Sequence, residues 1–374
     1  MTTYVVAPDS FKGSLSAVQF CEIAKSVIAQ CDPGSTVITL PLSDGGEGFV
    51  ESFLFAGLAE KESLWVSDPI GRKTKATFAW QAQTETAIIE MAQASGLPKL
   101  QPDERNPLQA HTYGTGQLVD AALNLGAKKI ILGLGGSATN DGGMGALQAL
   151  GVSFFDDSGK EIGLGGQALK KIVSIGEIPQ RLLDVEWLIA SDVTNPLLGK
   201  TGATSVFGPQ KGVSDLNFNA LESGLENWAQ RIEEKTGRQV KDLPGAGAAG
   251  GMAAGFIGLL GAHIEPGFEV LNSALGLEKT FAAQPIDWLI TGEGRLDEQT
   301  RFGKLPMQMA QLGAKYSIPT VAVCGSLGTH PSELPEFKAV FSILSRPMEE
   351  FEAFRFAPML LKQTLFSIVA LLKK

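Results

Sequence analysis

Six short runs rich in β-branched and aliphatic residues, each closed by glycine or a polar residue and followed by a stretch with helical periodicity, constrain this chain more than any other feature. They occupy residues 4–7, 36–40, 129–132, 187–190, 287–290 and 319–323. Strands alternating with helices predict parallel sheets with crossover connections. In open sheets of this kind ligands collect at the carboxyl ends of the strands, so the loops after these runs are where chemistry is expected. Residues 65–97 read differently. TKATFAWQAQ and TAIIEMAQ look like two strands paired through a turn near Thr84, which predicts a mixed sheet.

At 374 residues the chain exceeds what one hydrophobic core usually supports, so two domains are expected. The predicted fold class is α/β: a parallel-sheet domain built from residues 1–63 and 284–374, carrying an inserted mixed-sheet α/β domain, 64–283. The absence of a polar linker predicts that the domains meet around a cleft holding the active site.

A formal charge of −9, with Lys and Arg scattered, leaves no electrostatic footprint for nucleic acid. Cys21, Cys31 and Cys324 form no CxxC pair, and the three histidines stand apart, so neither a disulfide framework nor a zinc site is indicated. The amino terminus lacks a cationic region followed by an apolar run, which predicts a cytoplasmic protein. The uncharged stretch between Asp242 and Glu265 is long enough to span a bilayer, but its glycines and Pro244 predict a loop feeding a tightly packed soluble helix.

Five polar, glycine-rich segments follow the strands: APDSFKGSLS (7–16), PLSDGGEG (41–48), GLGGSATNDGG (133–143), ASDVTNPLLGKTGATSVFGPQKG (190–212) and LITGEGRLDEQTRFGK (289–304). A sixth, PGAGAAGG (244–251), follows no clear strand. Glycine lets backbone amides approach an anion, and a helix beginning just afterwards adds its positive dipole end, so such loops suit phosphate; Gly133 to Gly136 and Ser137 fit best. No segment completes GxxxxGK[ST], and neither HRD nor DFG occurs, which excludes a Walker A or protein-kinase site.

Phosphoryl transfer asks for carboxylates to hold Mg²⁺, cations or amides for the phosphates and an acid to take a hydroxyl proton. The loops contain all three types: Asp44, Glu47, Asp141, Asp192, Glu293 and Asp297 as acids, Lys12, Lys211, Arg295 and Lys304 as cations. Asp9 reads equally well as a helix N-cap, as does Asp297. A rival reading comes from Gly133, Gly135 and Ala138, which satisfy GxGxxA after a strand with Asp156 about twenty residues on, the pattern of an NAD-dependent oxidoreductase. Against it, TNDGG is a poor helix former where that pattern needs a helix.

In order along the chain, PDSFKGSLSA, DGGEG, IEMAQASGL, YGTG, GGSATNDGGMG, DVTNPLLG, FGPQKG, GAGAAGG and TGEGRLDEQ resemble the motifs of the bacterial glycerate kinase family whose members lack a P-loop. The departures are mild: Ser43 and Phe49 flank the DGGEG loop in place of Ala and Thr, and Ser191 replaces a frequent Cys. The resemblance implies transfer of phosphate from ATP, with Mg²⁺, to D-glycerate, on the 2-hydroxyl or else the 3-hydroxyl. It also implies a flavodoxin-like domain carrying an inserted domain like those of restriction enzymes; the partners expected are small-molecule substrates, with no nucleic acid and no membrane, for a monomer or homodimer. The roles then expected are Asp192 as proton acceptor and Ser10, Lys12, Arg295 and Lys211 on the substrate and transferring phosphoryl group. Asp44, Glu293 and Asp297 are expected around Mg²⁺, and Gly135, Gly136, Ser137, Gly247, Gly250 and Gly251 along the nucleotide phosphates.

Overall fold

The computed structural model describes residues 1–301 and 303–373. The chain divides into two compact units, a split unit of Met1–Gly57 with Phe268–Lys374 and an inserted unit of Leu58–Gly267. Both boundaries differ from those expected. A limit at residue 63 would cut the strand Glu60–Ser67, which pairs along its whole length with Lys73–Gln81, and the helices Gly267–Leu275 and Leu277–Ala283 cluster almost wholly with the split unit.

The split unit carries a five-stranded sheet in which every neighbouring pair is parallel, in the order Ala339–Ser342, Thr320–Leu327, Trp288–Leu296, Thr3–Val6, Thr36–Thr39. Numbered within the unit, that is the 2-1-3-4-5 order of flavodoxin-like folds. Its three central strands are buried on both faces, as parallel sheets require. Tyr4, Val6, Ile290, Val321 and Val323 face the helices Ala17–Cys31 and Glu350–Leu372, while Ala322, Cys324 and Leu296 face the helix Leu305–Lys315.

The helix Ala17–Cys31 begins at a capping box, Ser16 with Gln19, so Asp9 is not its cap. The helix Glu350–Leu372 is long and apolar enough to cross a membrane by length and composition. It buries Leu360, Leu361, Leu365, Ile368 and Val369 on this sheet, gross burial worth on the order of 10 kcal/mol. Pro358 inside that helix has no N–H to give the carbonyl four residues back. That carbonyl, of Phe354, instead accepts from Ser14 Oγ at 3.1 Å, tying the helix to the loop after the first strand.

The inserted unit holds a six-stranded mixed sheet, His263–Glu265, Glu186–Ala190, Lys129–Gly133, Thr86–Glu90, Lys73–Gln81, Glu60–Ser67. The first four run parallel and the last two complete an antiparallel meander, with Ala79 opposite Ile88. The apolar stretch singled out between Asp242 and Glu265 becomes the 13-residue helix Ala248–Leu260, buried along nearly all its length.

Candidate functional site

In a 2-1-3-4-5 sheet the chain order reverses between the first and third strands, and the loops leaving those two strands part to open a crevice. Here they are the loops after Val6 and at the end of Trp288–Leu296. A cavity of about 490 Å³ lies there, lined on its polar side by Asp9, Ser10, Lys12, Asp44, Glu293 and Arg295, with Lys304.

Backbone pairing brings the first loop across. Ala7 and Asp9 donate to the carbonyls of Ile290 and Gly292, both at 2.8 Å, and a bridge between Phe11 and Leu15 closes a tight loop with Lys12 and Gly13 at its tip. Gly13 has φ +78°, a conformation that glycine adopts without strain. Of the glycines of TGEG, the first lets the neighbouring strand come close and the second faces the loop. A Cβ at Gly292 would lie 2.1 Å from the Val323 carbonyl oxygen, and one at Gly294 would press on the backbone of Phe11 at 3.4 Å.

The electrostatics follow from crowding charges in a partly dry crevice. Asp9 is 6% exposed and accepts from the Ser10 amide at 2.7 Å; burial first, then the Asp44 charge, push its carboxyl well above the usual carboxylate range. Asp44 in turn is the largest influence holding Lys12 protonated above its ordinary range. Glu293, also buried, is raised by desolvation despite Lys304, whose Nζ stands 3.6 Å from both Glu293 Oε2 and Asp297 Oδ1. Thr300 Oγ1 donates to Glu293 Oε1 at 2.7 Å, and Arg295 Nε lies 3.5 Å from Asp297 Oδ2. Ser10 Oγ is buried without a hydrogen-bond partner, a cost of about 1–3 kcal/mol that a bound group would relieve.

The trio expected around Mg²⁺ is therefore close to lysines: Glu293 and Asp297 share Lys304, and Asp44 supports Lys12. Among the described residues no three acids, histidines or cysteines gather into a metal-holding group. These residues do not fit a resident divalent cation without a ligand that brings one.

In the inserted unit, Lys211 is 2% exposed, with Nζ donating to Ser137 Oγ at 2.7 Å and to the Thr139 carbonyl at 2.8 Å. No carboxylate forms an ion pair with it among the described residues, and burial draws its ammonium down to about 7. Gly135 and Gly136 beside it are solvent-reachable, Gly136 with φ +73°. The two strand ends carrying Gly135 and Asp192 are neighbours, with Gly133 opposite Ala190. Asp192 Oδ1 accepts from the Gly267 amide at 3.1 Å.

Three expectations are corrected. Gly247, Gly250 and Gly251 do not face a ligand: a Cβ would sit 2.4 Å from the Pro196 carbonyl oxygen at Gly247, 2.1 Å from that of Thr139 at Gly250, and 2.8 Å from Leu197 at Gly251. They are buried packing glycines, and Ala249, Gly250 and Gly251 are all left-handed, with φ 54°, 64° and 85°. Asp141 is likewise structural, fully buried and accepting from Thr112 N and Oγ1, Gly143 N and Gly145 N. The dinucleotide pattern fails on geometry, because helix begins only at Met144; Ala138 and Leu97 instead bond the chain around Ser95 and Gly136. Asp156, at the ribose position of that pattern, caps its own turn through Ser158 and Lys160.

The description Glycerate kinase family matches residues 4–373 of this chain. The chain belongs to the glycerate kinase family. Among its relatives are proteins named glycerate kinase from Halalkalibacterium halodurans, 41% identical over 97% of this chain and 96% of that one, and glycerate 2-kinase from Escherichia coli, 41% identical over 94% and 93%. The crystal structure of a candidate glycerate kinase 2 from Salmonella typhimurium LT2 superposes with a TM-score of 0.84 at 39% identity, covering 99% of this chain and 98% of that one. Family membership makes the chain a kinase.

Within that family context, Asp9 is the residue that sequence reasoning passed over. It looked like a cap, and the signal against capping was the complete capping box of Ser16 with Gln19, seven residues further on, which leaves no need for a second cap. Lys304, a candidate cation left without a role, is the neighbour common to Glu293 and Asp297.

Proposed function

We propose that this protein phosphorylates D-glycerate with ATP, on the 2-hydroxyl, to give 2-phosphoglycerate and ADP. The observation that carries the reading is the convergence in one crevice of Lys12, Arg295 and Lys304 with the buried, unpartnered hydroxyl of Ser10. Catalysis of phosphoryl transfer is largely positioning and charge neutralisation, and three cations in the lining of one cavity match the charge that spreads over the transferring group. Mg²⁺ enters as part of the MgATP substrate, where the phosphates complete a coordination shell that the carboxylates alone do not form. Ser137 and Lys211 supply a second place for a substrate anion, the protein replacing water there with a hydroxyl and an ammonium. Asp192 is the proposed acceptor of the hydroxyl proton.

The 2-hydroxyl is favoured over the 3-hydroxyl by the relative named glycerate 2-kinase. Dependence on ATP and the acidic sequence, pI about 5.1, go with a cytoplasmic enzyme of small-molecule metabolism.

A coupled ADP-release assay with MgATP and D-glycerate tests the activity. Product that enolase converts directly establishes the 2-kinase; a need for phosphoglycerate mutase makes it a 3-kinase, and no glycerate-dependent ADP release from folded protein sinks the reading. Asp192→Asn should lose turnover on the order of 10²-fold. Near-normal turnover in that variant would remove Asp192 as the base.

A further inference from the structure

The cavity of the split unit has a second wall that the chemistry of glycerate does not explain. Besides Lys12, Arg295 and Lys304 it is lined by Ile343, Leu344, Met348 and Phe354. Leu344 is 38% exposed and Phe354 43%, a considerable apolar surface left to water around a polar crevice. A three-carbon hydroxy acid fills only a small part of about 490 Å³ and has no face to offer these side chains. The volume is that of a site for a drug-sized ligand, which combines an apolar wall with a few polar groups that orient it.

The apolar wall is built to hold its place. Phe354 lies over Gly13, its ring 3.4 Å from where a Cβ there would be, and its carbonyl, freed by Pro358, takes the Ser14 hydroxyl. The aromatic ring is thereby fixed one residue from Lys12. Gly294 and Gly325, also in the lining, carry no side chains, and a Cβ at Gly325 would stand 2.5 Å from the Gly294 carbonyl oxygen, so the lining there is bare backbone. Glu350 in the same lining offers an acceptor.

We propose that this cavity is the nucleotide site, the purine base lying against Leu344, Met348 and Phe354 and the phosphates reaching Lys12, Arg295 and Lys304. A nucleoside triphosphate has what this lining lacks a partner for: a flat, weakly polar base at one end and a polyanion at the other. The inference rests on the kinase reading and relocates the nucleotide from the glycine loops of the inserted unit to the C-terminal helix of the split unit.

The test uses the full chain with three probes, MgADP, magnesium pyrophosphate and D-glycerate, titrated calorimetrically into wild type, Phe354→Ala and Leu344→Asp. Loss of base contacts should weaken MgADP binding by about tenfold or more, the range of alanine substitutions under stacked bases. Pyrophosphate, which has no base, and D-glycerate should bind as before, and the KM for ATP should rise with kcat little changed. Leu344→Asp lies outside helix and strand, so it carries the test if Phe354→Ala fails to fold. Unchanged MgADP affinity in both variants, or a fall in D-glycerate affinity instead, overturns the assignment. A wild type without glycerate-dependent ADP release overturns the kinase reading itself, whereas an active wild type with unaffected variants overturns only the placement of the base.

Discussion

Replacing Lys211 by methionine should make the protein more stable below neutral pH and less active, and the size of the effect follows from its surroundings. The ammonium is fully buried beside two neutral acceptors, which draws it from 10.5 to about 7. At 1.36 kcal/mol per tenfold change, holding it in the folded state costs about 5 kcal/mol once it is charged. The unfolded chain takes up this proton below pH 10.5 and the folded chain only below about 7, so native stability falls as pH drops across that window and the penalty is complete below it.

Methionine removes the penalty but strands Ser137 Oγ and the Thr139 carbonyl without a donor, at about 1–1.5 kcal/mol each. The variant should therefore be about 2 kcal/mol more stable at pH 6, with a melting midpoint a few degrees higher, and about 1 kcal/mol less stable at pH 9.5. Thermal unfolding of both proteins at the two pH values measures this. A variant less stable at pH 6, or a difference that does not change with pH, would refute the account of Lys211 as an unpaired buried cation. Turnover of the same samples should fall, the exchange of stability for function that a charge held for substrate implies.

Asp9→Asn should lose activity while gaining stability as pH rises. Because the Asp9 carboxyl is raised in the folded state, that state keeps its proton to higher pH than the unfolded chain, so native stability falls from about pH 4 upward until the folded value is passed. Melting curves from pH 4 to 8 should show the variant's advantage growing with pH, and a constant difference would contradict this. Lys12→Ala should lower kcat/KM by at least about tenfold; unchanged kinetics would remove it from the site. Gly250→Ala should destabilise the protein by more than about 2 kcal/mol, adding left-handed strain at φ +64° to a contact 2.1 Å from the Thr139 carbonyl oxygen. A melting point equal to wild type would show that the packing there relaxes freely.

Much of the fold was legible because the signals are local. All six strand runs form strands, and the turn after Gln81 separates antiparallel neighbours, since burial on both faces of a parallel sheet leaves continuous aliphatic runs and a meander leaves alternating ones. The strand Ala339–Ser342 was missed: four residues on the sheet edge, none of them buried, carry too little pattern. The unit boundaries moved because clustering of Gly267–Leu275 with the split unit depends on partners far away in sequence.

For the site, Ser10, Lys12, Asp44, Glu293 and Arg295, named for residue type and loop position, line one cavity of the split unit. The ordered motifs alone pointed to the family. What a glycine is for was not readable. GSATNDGG and GAGAAGG look alike as loops, yet one leaves Gly136 exposed beside Lys211 while the other is buried against the Pro196 and Thr139 carbonyls. Residue type sets which conformations and charges a position permits, and that is encoded along the chain. Whether a permitted conformation meets solvent or another backbone, and whether Asp9 keeps its proton, depends on desolvation and neighbours tens to hundreds of residues away, which only the folded structure brings into contact.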